Sequence, residues 1–207
     1  VRQKYATLWH VHVNCSLLDN RIRPMQVLAL SLIATLCLQA ASPFEQLVTQ
    51  VRTATALQCQ LRSSSGEDIR IVATRGGKLR LESKQRTVVS NGAIVWNYVP
   101  GQNTVTIAPV PSSGNATFDR VVFQLLERYR VEQQSSGRVI LVPTGEPVYG
   151  VRRLVLDFRS GRLRALTIEA TGGSEQWQVR SLRFNPAVSA EQFEFTVPVG
   201  AEVVDMR

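Results

Sequence analysis

The sequence predicts a mainly β fold with helices (α+β), in which a long antiparallel sheet curves over amphipathic helices. Three observations carry this expectation. Apolar residues repeat at every second position through most of the chain; turn pairs such as Asn91-Gly92, Pro100-Gly101, Ser160-Gly161 and Gly172-Gly173 punctuate those runs; and two stretches switch to three- and four-residue spacing. With 207 residues, 44% hydrophobic and 19% charged, the chain is long and apolar enough to bury a core as one domain.

Residues 1–40 read as an N-terminal extension and a secretory signal peptide. Arg21 and Arg23 precede an apolar, charge-free run from residue 27 to 38, and small residues follow at Ala40, Ala41 and Ser42. The run is shorter than the roughly 20 residues of a membrane-spanning helix, so cleavage near Ala40 is expected. Either Val1 or Met25 fits the start, although starting at Met25 strips the basic residues from the leader. A lipid-anchor reading of Cys37 is disfavoured because Leu36 is larger than the residue that motif wants. The domain of interest is then 41–207.

The elements of that domain follow in order. After Pro43, the residues Phe44, Leu47, Val48, Val51, Ala54 and Leu57 form a helical stripe. Leu57, Cys59 and Leu61 then alternate, as do Ile69, Ile71 and Ala73 beyond the turn at 63–68. Leu79 and Leu81 continue the meander, and Val88 and Val89 form the next strand. Asn91-Gly92 supplies the central pair of a type I′ turn. The strand 93–99 places Trp96 and Tyr98 on one face, and 104–108 follows Pro100-Gly101. A Pro/Ser/Gly loop at 109–115 leads to a second stripe, Phe118, Val121, Val122, Leu125, Leu126 and Tyr129, read as a helix. Strands are expected at 139–142, 151–158, 163–170 and 176–184, with a last one at 193–197. A closed barrel and a curved sheet over the helices both satisfy this pattern. The need of each helix to bury its stripe favours the sheet wrapped over helices.

Chemistry is sparse. Both histidines, His10 and His12, precede the leader's apolar run, so residues 41–207 lack the usual general base and cannot build a Ser-His-Asp or Cys-His site. Cys59 is the sole cysteine after residue 40, which excludes an internal disulfide and a zinc site of His and Cys; its alternation with Leu57 and Leu61 marks a core thiol. Gly76-Gly77 and Gly172-Gly173 lead into strands, not helices, and so do not form phosphate loops. Asp157, Glu169 and Glu82 lie in strand patterns, and only their convergence would support an envelope hydrolase. No catalytic residue, cofactor or metal is expected.

The net charge is +8; residues 41–207 hold 20 basic and 15 acidic groups, a net charge of +5. Arg152, Arg153, Arg159, Arg162 and Arg164 gather on one hairpin, and Lys78, Arg80, Lys84 and Arg86 on another. No nucleic acid partner is expected, because secretion removes it; such hairpins suit anionic lipid headgroups.

Several runs together resemble the outer-membrane lipoprotein carrier (LolA) family. They are Arg75-Gly-Gly-Lys-Leu-Arg-Leu, the stretch from Val88 through Asn91-Gly92 and Trp96-Asn-Tyr98 to Gln102 and Ile107, and the closing Phe193-Glu-Phe195-Thr-Val-Pro198-Val-Gly200. The resemblance spans 43–205. Gly76 stands where the family often has proline, Leu81 where it often has tryptophan, and Ala93 where lysine is usual. The resemblance implies an unclosed β-barrel, covered by helices, that holds lipoprotein acyl chains and moves them through the periplasm. It implies as partners acylated lipoproteins or lipids, an inner-membrane lipoprotein-releasing transporter and an outer-membrane acceptor, with the carrier acting as a monomer. By family position Arg75 hydrogen-bonds the helical lid and keeps the empty cavity closed; read alone, it is an ordinary turn arginine. Leu79, Leu81, Trp96, Tyr98, Val105, Ile107, Leu125 and Leu126 are the candidate cavity wall and lid, and would equally serve as plain core. The same fold also fits an envelope lipid-binding or lipoprotein-sensing module.

Overall fold

The computed structural model describes residues 41–110, 122–147 and 150–207. The expected leader (1–40) lies outside these residues, as do Phe118 and Val121 of the second helical stripe.

Helix α1 (Pro43–Thr53) begins with Pro43 in its first turn. There the missing amide hydrogen costs no helical bond. Ser42 and Glu45 close a reciprocal cap: the Glu45 amide donates to Ser42 Oγ at 3.2 Å, and the Ser42 amide donates to Glu45 Oε2 at 2.7 Å. Leu47 and Val51, one turn apart, are the buried residues of its apolar stripe.

Among the described residues twelve strands follow: β1 (Ala56–Ser63), β2 (Asp68–Thr74), β3 (Lys78–Glu82), β4 (Thr87–Asn91), β5 (Ile94–Val99), β6 (Thr104–Pro109), β7 (Tyr129–Gln134), β8 (Arg138–Pro143), β9 (Val151–Arg159), β10 (Arg162–Ala170), β11 (Gly173–Phe184) and β12 (Glu202–Asp205). They form one sheet in the order β12-β6-β5-β4-β3-β2-β1-β11-β10-β9-β8-β7. Its two outer strands, β12 and β7, do not pair with each other, so the sheet is unclosed. Two meanders, β1–β6 and β7–β11, join through antiparallel pairing of β1 with β11. Register shifts at Gln60/Leu61, Val131/Gln133, Leu163/Ala165 and Glu169/Ala170 bend the strands, as an extra residue on one side of a ladder does.

Four expectations need correction. The stripe ending at Leu125, Leu126 and Tyr129 is not a helix there: Leu125–Arg128 is a single 3-10 turn and Tyr129 opens β7. The Tyr129 hydroxyl donates to the Val151 carbonyl at 3.1 Å, an anchor a helical position would not offer. Residues 193–197 are not a sheet strand; a 3-10 turn, Ala190–Phe193, leads into an unpaired segment, and the last strand is β12. β12 also breaks the all-antiparallel expectation, since it runs parallel to β6 with Val203 beside Val105 and Asp205 beside Ile107. Finally, the β4–β5 turn is centred on Gly92-Ala93, not Asn91-Gly92. Ser90 pairs with Val95, Gly92 takes φ +97°, and Asn91 Oδ1 accepts from the Ala93 and Ile94 amides, both at 2.9 Å. A side chain at Gly92 would meet the Gly76 carbonyl at 2.9 Å, so glycine is also required by the approach of the β2–β3 turn.

Among the described residues no helix is long and apolar enough to cross a membrane.

Candidate functional site: the inner face of the sheet and its clasp

Residues directly opposite each other on neighbouring strands point to the same face. The register therefore sorts the sheet into an inner face, against which α1 packs, and an outer face. Leu57, Ala73, Leu79, Ser90 and Val95 form one inner row, through the pairs Leu57–Ala73, Ala73–Leu79, Leu79–Ser90 and Ser90–Val95. Val72, Arg80, Val89, Trp96 and Ile107 form the matching outer row.

Two apolar clusters lie on the inner face. In one, Leu47 and Val51 of α1 pack on Tyr129, Val139, Leu141, Leu154 and Leu156, with Leu125 and Leu126 at its margin. In the other, Phe123 covers Leu57, Cys59, Ala73 and Leu79, with Leu61, Ile71 and Val88 beside them. Phe123 is 1% exposed.

Arg75 ties these covers together. From the β2–β3 turn its Nε donates to the Ala54 carbonyl at 2.8 Å, and its Nη2 donates to the carbonyls of Arg52 at 2.7 Å and Val51 at 3.3 Å. These are the end carbonyls of α1, which have no partner inside the helix and which carry the negative end of its dipole. The same guanidinium lies 4.8 Å from the centre of the Phe123 ring, within cation–π range. One side chain thus holds the end of α1 and the Phe123 cover at once. Around it, Asn185 Oδ1 accepts from the Thr55 amide at 2.8 Å and the Thr55 hydroxyl at 3.1 Å, and an exposed ion pair, Arg52–Glu127 at 3.5 Å, links α1 to the 3-10 turn.

At the rim of the inner face, Ile69, Leu81, Val88 and Val99 line a groove of about 510 Å³ edged by Glu67, Ser83, Gln85 and Arg86. Its volume lies within the range of small-molecule sites, and its floor is aliphatic.

The structure therefore brings Arg75, Leu79, Leu81, Leu125 and Leu126 to the inner face. It does not bring Trp96, Tyr98, Val105 and Ile107 there. These four face outward, where Phe195 lies 6.5 Å from the Trp96 ring and 6.1 Å from the Tyr98 ring. Val105 is fully buried and Ile107 is 8% exposed, together with Val89 and Phe193. Arg80 ties the covering segment down by donating to the Gln192 and Glu194 carbonyls, both at 3.3 Å. Phe123, Leu47 and Val51 are the inner-face residues that the sequence reading left out of the site.

The carboxylates do not converge. Asp157 accepts from Arg138 at 2.6 Å, Glu82 from Arg80 at 2.6 Å, and Glu169 lies 3.8 Å from Arg153. Cys59 is buried, and burial pushes its thiol up to about 12, so it stays protonated at neutral pH.

Comparison with known proteins completes the picture. The profile of the family described as Outer membrane lipoprotein carrier protein LolA matches residues 41–196. An outer-membrane lipoprotein carrier protein of Actinobacillus pleuropneumoniae serotype 7 is 30% identical over 164 residues, covering 71% of this chain and 74% of the relative. One from Pseudomonas aeruginosa (strain UCBPP-PA14) is 27% identical over 206 residues, covering 88% and 98%. The solved structure of an uncharacterized conserved protein from Thermus thermophilus superposes with a TM-score of 0.46 at 18% identity, over 77% of this chain and 98% of that one.

Proposed function

Because this chain belongs to the outer membrane lipoprotein carrier (LolA) family, whose members are carriers and not enzymes, we propose that it shuttles lipoproteins across the periplasm with their acyl chains held on the inner face. In this reading an inner-membrane lipoprotein-releasing transporter loads it and an outer-membrane acceptor unloads it. Arg75, Leu79, Leu81, Leu125 and Leu126 belong to the cavity and its cover, joined by Phe123, Leu47 and Val51.

The observation that carries the reading is the Arg75 clasp. An apolar cavity that must open needs covers held by few, breakable polar bonds. Arg75 makes three, each of roughly 1.5 kcal/mol net because the donor is charged, or about 5 kcal/mol together. Burying an acyl chain returns roughly 0.8 kcal/mol per methylene, so about six methylenes offset the clasp and a chain of about fourteen gives twice that. Cargo burial therefore exceeds what the clasp holds, so the cover can stay closed when empty and yield when an acyl chain enters. The groove at Ile69, Leu81, Val88 and Val99 extends the apolar track past the covers.

The test is mass spectrometry of lipid extracted from the protein purified from an envelope fraction, in parallel with an Arg75→Leu variant. Diacyl or triacyl lipoprotein on the protein, enriched on the variant because its empty state no longer closes, is the expected result. Empty preparations of both, with no binding of an added fluorescent acyl probe, would sink the carrier and leave an envelope interaction module of the same fold.

A further inference from the structure

Where β10 meets β11, the ladder stops early. Pairing runs from Ala170–Gly173 to Ala165–Gln178 and no further, although β10 begins at Arg162 and β11 continues to Phe184. At that level both outer neighbours show register shifts. β9 pairs Phe158 with Leu163 and then Asp157 with Ala165, leaving Arg164 without a partner; β1 pairs Gln60 with Ser181 and Leu61 with Val179, leaving Arg180 without one. The strands part there and leave a cleft of about 720 Å³ beneath α1.

The extra residue in each shift is thus an arginine, and both line the cleft together with Arg162 and Arg183. Bulges re-aim side chains, and they concentrate beside binding sites. No Asp or Glu lines the cleft, and none of the four guanidiniums has an ion-pair or hydrogen-bond partner among the described residues. Six arginines elsewhere in the domain have a carboxylate within 4 Å. Leu47, Leu163, Val179, Leu182 and Phe184 line the same cleft.

A cleft lined by both uncompensated guanidiniums and apolar side chains is complementary to one chemical class, an anion carrying a hydrocarbon chain. We propose that this cleft binds the phosphate headgroup of an anionic phospholipid, with Arg164 and Arg180 on the phosphate and the start of the acyl chain on Leu182 and Phe184. Guanidinium suits the task because its planar fork meets two phosphate oxygens at once. Its arginines are separate from the Arg75 clasp, although Leu47, Leu163, Leu182 and Phe184 also belong to the inner-face cluster, and the headgroup reading does not depend on lipoprotein carriage.

The test is titration calorimetry of the full chain at physiological salt with dihexanoyl phosphatidylglycerol, dihexanoyl phosphatidylcholine and inorganic phosphate. Saturable binding of the phosphatidylglycerol, tighter than either comparator, is expected. The double variant Arg164→Gln/Arg180→Gln should weaken it about 30-fold, about five-fold per charge removed beside an anionic headgroup. Arg162→Gln/Arg183→Gln, in the same cleft, should weaken it less, and Arg130→Gln/Arg152→Gln, which removes equal charge elsewhere, should leave it unchanged; melting curves confirm that each variant folds. Equal loss in the Arg130/Arg152 variant would reduce the effect to net charge. Inorganic phosphate binding as tightly as the lipid would make the cleft a free-anion site. Either result, or no binding, overturns the proposal, and none of them bears on acyl-chain retention by Arg75→Leu.

Discussion

Both faces of the sheet carry a covered apolar patch, the outer one over β4–β6, yet the two patches are covered by different means. On the outer face, the segment from Ser189 to Gly200 lays Phe195 against Trp96 and Tyr98 and buries Phe193 where its 3-10 turn meets β3 and β4, and β12 then hydrogen-bonds into the sheet beside β6. Its far end is fixed by Asn103, whose side chain donates to the Gly200 carbonyl at 2.8 Å. On the inner face, α1 and Phe123 rest on the sheet and are tied down by one arginine, one asparagine and an exposed ion pair. The difference teaches that apolar burial alone does not tell a binding cavity from a core. What separates them is whether the cover is woven into the sheet or latched to it.

The sharpest way to break this comparison is to remove the outer cover. Phe193→Ala takes a 3% exposed ring out of a packed layer and should cost about 3–5 kcal/mol in chemical denaturation. The fraction that remains folded should bind an acyl probe normally; if probe affinity falls in step with stability, the faces are one unit. Asn185→Ala tests the latch side. It strips the acceptor from the Thr55 amide and hydroxyl and should lower stability by about 1–3 kcal/mol, while loosening the α1 end enough to raise probe uptake.

Cys59 reports on the inner core. Its folded value of about 12 exceeds the 9.0 of a free thiol, so folding favours the protonated form. That contribution is intact below about pH 9 and is lost as pH rises from there toward 12, so the unfolding midpoint should fall over this window and Cys59→Ala should flatten the fall. At pH 8 the thiol should resist a disulfide reagent until the chain unfolds; rapid labelling of the native protein would mean that the inner face breathes without ligand. The smallest effect belongs to Arg52→Ala. The ion pair with Glu127 is half-exposed on both sides, so stability should shift by less than about 1 kcal/mol. A clear gain in probe binding with so small a loss would move part of the latch from Arg75 to this pair.

Much of the architecture was legible because period and turn chemistry agree: the Ser42-Pro43 start of α1, the alternation of β1 to β3, and the hairpin at Ser160-Gly161 stand where the residues place them, while the next turn is centred on Thr171-Gly172, one residue before Gly172-Gly173, with Gly173 already paired to Ala170. β7 was hidden because only Tyr129 of its six residues is buried, and a lone aromatic after Leu125 and Leu126 extends a helical stripe as naturally as it starts an edge strand. The alternation of Phe193, Phe195 and Val197 is real, but it marks an extended clamp and not a hydrogen-bonded strand. The site was half legible. Arg75 and Leu79 carry their placement in the turn and strand they occupy. Trp96 and Tyr98 lie on the face opposite Leu81, and turn length gives the reason: Leu81 opposes Val88, and a two-residue turn pairs Trp96 with Val89, one residue and therefore one face away. Phe123 gave no periodic signal, because its burial depends on a contact with Arg75 that only the tertiary fold creates.

The junction of the two meanders bears on how the chain folds. Every hairpin in β1–β6 and β7–β11 closes over a short stretch of chain, but β1 finds its second neighbour only when Leu57 meets Phe184. Loop closure of that length is slow relative to hairpin formation, so the rate at which the native state appears is expected to follow this one pairing. Until it forms, Leu57 and Cys59 on one meander and Leu182 and Phe184 on the other sit at unjoined edges, and a chaperone that delays collapse would find its surface there.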